Sequence, residues 1–151
     1  MRRFISLFLV ISLTFTIPAQ AQSVSDVLKS FRKLEADTEA GMNYSEYARG
    51  FAEVNAQLKS FADTNRGKPP AAIEALRSAF ELYLKARTLW DEQRLQDMRY
   101  RNGELSIQAY FDGKSANNAE ISSVWKQAGQ EIDRAAALLN SKQRPKGKQV
   151  N

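Results

Sequence analysis

Tyr83, Arg87 and Trp90 follow one another at steps of four and three in the stretch YLKARTLW, which places them on one stripe of a helix. Aromatic faces flanking a guanidinium are the parts of an anion platform, since arginine grips a carboxylate or phosphate with two parallel hydrogen bonds and the rings exclude water. Trp125, on a later helix, completes the candidate groove, which serves either a small anionic ligand or a partner. The same spacing has a plainer reading. Ile73, Leu76, Phe80, Tyr83, Arg87 and Trp90 keep a heptad step throughout, so the stripe reads first as the inside of a helix bundle. Arg87 is the odd member. A buried unpaired guanidinium is costly, so it snorkels along the rings, pairs with an acid, or marks an opening in the core.

Other routes to chemistry close on residue type. The chain has no histidine and no cysteine. That removes serine–histidine triads, thiol nucleophiles, and imidazole or thiolate metal ligands. No glycine-rich phosphate loop is present, so no catalytic residue, metal ligand or cofactor is assigned. Carboxylates alone run glycosidase chemistry. The acidic pairs Asp91/Glu92 and Glu131/Asp133 lie on charge-mixed faces, however, and read as solvated surface. The stretch DGKSANNAE (112–120) lacks the order of a calcium loop and reads as a turn plus a helix cap.

The N-terminus sets the expected compartment. Arg2 and Arg3 precede an apolar run from Phe4 to Ile17, then Pro18 and the small-residue site Ala19-Gln20-Ala21. Those are the three parts of a secretory signal peptide. The run is about 14 residues, short of the roughly 17–25 that span a bilayer. Cleavage between Ala21 and Gln22 is expected, giving a periplasmic or secreted protein with no transmembrane segment in the mature chain.

Of 22 Lys+Arg and 17 Asp+Glu, much of the net +5 belongs to the ends. With Arg2, Arg3 and the tail cations Lys142, Arg144, Lys146 and Lys148 set aside, the body holds one more acid than base. A nucleic-acid protein carries its basic face on the folded part, so nucleic acid is not an expected partner. The tail cations are a candidate weak contact with anionic lipid or polymer, at about 1 kcal/mol per charge near such a surface.

Three segments are helical by periodicity. The first starts near Val24, with Ser23 or Ser25 as N-cap, and stops at Gly41. The second, capped by Asn43 or Ser45, carries Tyr44, Tyr47, Phe51, Val54, Leu58 and Phe61. The third follows TNRGKPP, with Gly67 as stop and Pro69-Pro70 in the first turn, and continues towards Tyr100. Gly103 and Gly113 bracket residues 102–118, which read as helical extension, hairpin arm or ordered loop. Asn117 or Asn118 is the expected cap of a last helix carrying Ile121, Val124, Trp125, Ala128, Ile132 and Ala135. The expected fold is therefore all-α: a signal peptide (1–21), an antiparallel four-helix bundle (22–141) and a basic disordered tail (142–151). Trp90 and Trp125, about 35 residues apart, raise the alternative of two tetratricopeptide-like helical hairpins. The chemistry that is missing favours an exported non-enzymatic protein that binds an envelope protein or polymer. A small anionic-ligand carrier or sensor, and a carboxylate-dependent hydrolase of envelope glycans, are the alternatives.

Overall fold

A computed structural model describes residues 23–65, 67 and 69–143, with the side chains of 142 and 143 excepted. The expected signal peptide (1–21), its expected Ala21/Gln22 cleavage site, and the tail side chains of Lys142, Arg144, Lys146 and Lys148 lie outside the described residues. The described residues form four helices and no strand: α1 (Val24–Ala40), α2 (Tyr44–Thr64), α3 (Ala71–Arg101) and α4 (Ile107–Gln143).

Local chemistry sets the first helices. Ser23 caps α1 and Asn43 caps α2, each in a reciprocal box with the acid three residues on, Asp26 and Glu46. Gly41 adopts φ 84°, and its N–H reaches the Thr38 carbonyl to end α1. At the end of α2 the stop is Asn65 rather than Gly67: its backbone N–H and its side-chain amide both donate to the Phe61 carbonyl. Pro70 is the residue immediately before α3, not part of its first turn.

The helices run up, down, up, down. Across α1 and α2, Lys33 pairs with Glu53 at 2.8 Å. A Cβ at Gly50 would come within 2.9 Å of Leu34 Cδ1. Close approach of α1 thus explains a glycine that costs about 1 kcal/mol against alanine inside a helix. Tyr47 meets Tyr83 and Phe51 stacks on Phe80 across α2 and α3, while Arg32 reaches Asp133 across α1 and α4. One apolar core joins all four helices through Phe31, Leu34, Tyr47, Leu76, Tyr83 and Ile132, each no more than 1% exposed.

The two hairpins differ in length. At 1.5 Å per residue α1 is about 25 Å long, α3 about 45 Å and α4 about 55 Å. The core cluster stops at Trp90 on α3 and begins at Ile121 on α4, so the far end of the α3–α4 hairpin projects past the cover of α1 and α2. The tetratricopeptide alternative expects repeated pairs of similar helices, whereas Trp90 and Trp125 here pack ring against ring in one cluster.

Of the three readings of residues 102–118 the helical one holds from Ile107 onward, while the expected turn and cap are corrected. The connector is short, turning at Gly103 with φ 76°, and α4 begins at Ile107, where the Ser106 hydroxyl accepts the Ala109 N–H. Asn117 and Asn118 therefore lie within α4 and cap nothing, and DGKSANNAE is helix, not turn. Gly113 is placed where α4 meets Gln96: a Cβ there would fall 2.8 Å from its Oε1. Side-chain pairs one turn apart, Gln108 to Asp112 and Lys114 to Tyr110, hold this stretch helical. At the other end α4 runs two residues past the expected boundary, to Gln143.

Candidate functional site

Three of the four expected groove residues come together. The Tyr47 ring lies 6.4 Å from Tyr83, 5.4 Å from Trp90 and 5.8 Å from Trp125, and the two indoles meet edge-on at 5.7 Å. Their rings lie towards the end of the core that adjoins the projecting hairpin, with Tyr83 and Tyr47 fully buried and the indoles partly so. The Tyr47 hydroxyl donates to the Tyr83 carbonyl at 2.6 Å. Burial pushes both phenols well above their ordinary range. Thr38, near Tyr83, donates its hydroxyl to the Glu35 carbonyl instead, and the buried Tyr83 Oη and Trp125 Nε1 have no hydrogen-bond partner.

Arg87 does not join that cluster's interior. It is half-buried, and its guanidinium lies over the Phe51 ring at 5.4 Å from the centroid. Of the three options open to it in sequence, the geometry takes the snorkelling one. Trp125 lines a cleft of about 390 Å³ between α1 and α4, rimmed by Glu35, Glu39 and Asp133 with Lys126. That acidic rim is poorly matched to an anion. Three of the four acids named from sequence are engaged: Glu131 with Arg134, Asp133 with Arg32, and Asp91 with Tyr44 and Arg94, while Glu92 is exposed. Among the described residues no cluster of three or more acids is arranged to hold a metal ion.

The projecting hairpin end carries features that sequence reasoning missed. Of the five large apolar side chains left exposed among the described residues, Leu95, Met98, Ile107 and Phe111 lie there, each more than half exposed, and only Leu84 lies elsewhere. Ile107 and Phe111, four apart, share a face of α4, and Leu95 and Met98, three apart, line a groove on α3. Between the two helices the contact turns polar. Gln93 is 5% exposed, and Gln93 Oε1, Gln96 Oε1 and Asn117 Nδ2 are buried without partners. Tyr110 ties the end together, stacked on Tyr100 at 4.3 Å with its hydroxyl donating to Asp97 at 2.8 Å and accepting from Lys114 at 3.0 Å. The signal for all this was present in the 3–4 spacing of Leu95, Met98, Ile107 and Phe111. It was masked by Gly103, Asp112 and Gly113, which imitate a loop.

Asp97 links this end to pH. Partial burial pushes its carboxyl up, but the hydrogen bonds from Tyr110 and Gln93 and the nearby Lys114 charge outweigh that and leave it below its ordinary value. A carboxyl depressed in the folded state stabilises above its unfolded pKa, about 3.9, and that contribution is lost as pH falls through the lower folded value. Amide protection factors in residues 94–117 should therefore fall below about pH 4 before those of the bundle do. Asp97→Asn should flatten that response; an unchanged acid profile in the variant would remove Asp97 from this role.

No helix among the described residues is long and apolar enough to cross a membrane. No protein-family model, curated protein or solved structure matches the chain.

Proposed function

We propose that the chain is an exported, non-enzymatic helical protein that binds a macromolecular partner at the cell envelope through the projecting end of the α3–α4 hairpin. The observation that carries this reading is the placement of Leu95, Met98, Ile107 and Phe111, which stay exposed where neither α1 nor α2 covers the hairpin. A monomer leaves single apolar residues on its surface routinely, but a concentration of them at one end marks a contact surface. The lack of histidine and cysteine supports the non-enzymatic part, and the signal peptide supports export. An envelope protein is the favoured class, because helix faces with apolar anchors suit a polypeptide groove.

The small-ligand reading draws only on the unpartnered Trp125 Nε1 beside the α1–α4 cleft. It is the weaker of the two, because Arg87 turns to Phe51 and not into that cleft.

Retention of the exported chain on envelope fractions tests the proposal. Ile107→Asp with Phe111→Asp should reduce retention about tenfold or more, since interface anchors of this size are worth over 1 kcal/mol each. The melting temperature should stay nearly constant, because both side chains are more than half exposed. Equal retention by variant and parent would defeat this placement of the site. The intact mass of the exported form should lack residues 1–21, and recovery of the uncleaved chain in membranes would defeat the export reading.

A further inference from the structure

The groove on α3 is lined by Asp91, Arg94, Leu95, Asp97, Met98 and Arg101, and it has a volume of about 590 Å³. Its charges alternate along the helix: acid, base, acid, base, with Leu95 and Met98 between the inner pair and around it. Reversing the direction of such a stripe exchanges its signs. Laid antiparallel against itself about a point near Gln96, Asp91 falls opposite Arg101, Arg94 opposite Asp97, and Leu95 opposite Met98. We infer that this groove is the docking surface for a second copy of the chain, held antiparallel about a two-fold axis near Gln96.

The inference rests on the reading of the hairpin end as a contact surface, and it names the occupant of that end's α3 side. A two-fold contact must be self-complementary, residue i meeting j and j meeting i, and the alternation on α3 has that property. The two cations are also available. Arg94 reaches Asp91 only at 3.9 Å and otherwise lies over the Tyr44 ring, and Arg101 has no ion-pair partner among the described residues. Leu95 at 55% and Met98 at 52% exposure supply the apolar centre that such a contact needs. A contact along one helix end falls short of the ~800 Å² per partner of a standard interface, so the dimer belongs in the range of about 10–100 μM.

Sedimentation equilibrium of the exported chain at up to about 300 μM, well above that range, should show a monomer–dimer equilibrium. Raising salt from about 0.05 to 0.5 M should weaken it severalfold by screening the four cross-pairs. Arg94→Glu with Arg101→Glu makes the stripe wholly acidic and should weaken association about tenfold or more, because like charges then face each other. Because the chain has no cysteine, Leu95→Cys and Met98→Cys each introduce a lone thiol. Mixed, the two variants should give disulfide-linked heterodimers under mild oxidation, while either one mixed with Ser60→Cys, exposed on α2, should not. A wholly monomeric chain at low salt, or linkage no greater between Leu95→Cys and Met98→Cys than with Ser60→Cys, would overturn the inference. So would a dimer indifferent to the arginine replacements. Failure of the docking reading itself looks different: Ile107→Asp with Phe111→Asp then leaves envelope retention intact, whatever the oligomeric state.

Discussion

Tyr47→Ala should lower the stability of the bundle by about 3–5 kcal/mol, the loss expected when a large buried aromatic is deleted and its surroundings cannot close. Among the described residues no other side chain touches so many rings: Phe51 on its own helix, Tyr83 and Trp90 on α3, and Trp125 on α4. A pair of conservative changes separates packing from hydrogen bonding. Tyr47→Phe should cost about 1 kcal/mol, because it removes the bond to the Tyr83 carbonyl and leaves the ring in place. Tyr83→Phe should be neutral or stabilising by up to about 1 kcal/mol, because the hydroxyl it deletes is buried without a partner. Chemical denaturation measures all three. Equal losses for the two phenylalanine variants would mean that the Tyr83 hydroxyl is bonded in solution.

The second large effect is a separation of folding from binding. Joining Arg94 directly to Ser115 through the connector's own sequence, Asn-Gly-Glu-Leu-Ser, deletes the projecting end and restores a turn of the original kind. The core cluster lies wholly on the bundle side of that cut. The shortened chain should fold with a melting temperature within about 5 °C of the parent, a change of roughly 1 kcal/mol. Envelope retention should nevertheless fall to background, and the dimer should vanish with it. A shortened chain that fails to fold would show that the hairpin end stabilises the bundle; one that binds as well as the parent would place the contact elsewhere.

Much of the bundle was readable because its helices each hide one apolar face. The 3–4 spacing from Tyr44 to Phe61 and from Ile73 to Trp90 follows from burial against neighbours on one side. Gly41 and the capping candidates Ser23 and Asn43 were readable because each has a single chemical use at a helix end. The projecting end was not, for a related reason. Apart from the stacked Tyr100 and Tyr110, its inward positions are Gln93, Gln96, Asp97, Gly113 and Asn117, so the apolar rhythm that announces a helix is weak where the two helices face only each other. Turn-forming residue types then left residues 102–118 open between helix, hairpin arm and loop, although the α3 half was expected to continue towards Tyr100. For the candidate groove, spacing correctly favoured the interior for Tyr83 and grouped it with Trp90 and Trp125. It gave no means of seeing that Arg87 would leave that group for Phe51.

The arrangement of aromatic rings also divides the molecule optically. Both tryptophans of the chain stand in the one cluster around Tyr47, close enough for their transition dipoles to couple. Tyr100 and Tyr110 stand stacked in the projecting hairpin end, beyond the point on α3 where the indole cluster stops. Indole emission and the exciton signal of the coupled pair therefore report on the bundle, while changes in phenol absorbance that leave the indole signal unchanged report on the hairpin end. A single unlabelled sample carries two separate reporters, and melting the chain while recording both would show whether its two ends come apart together or in turn.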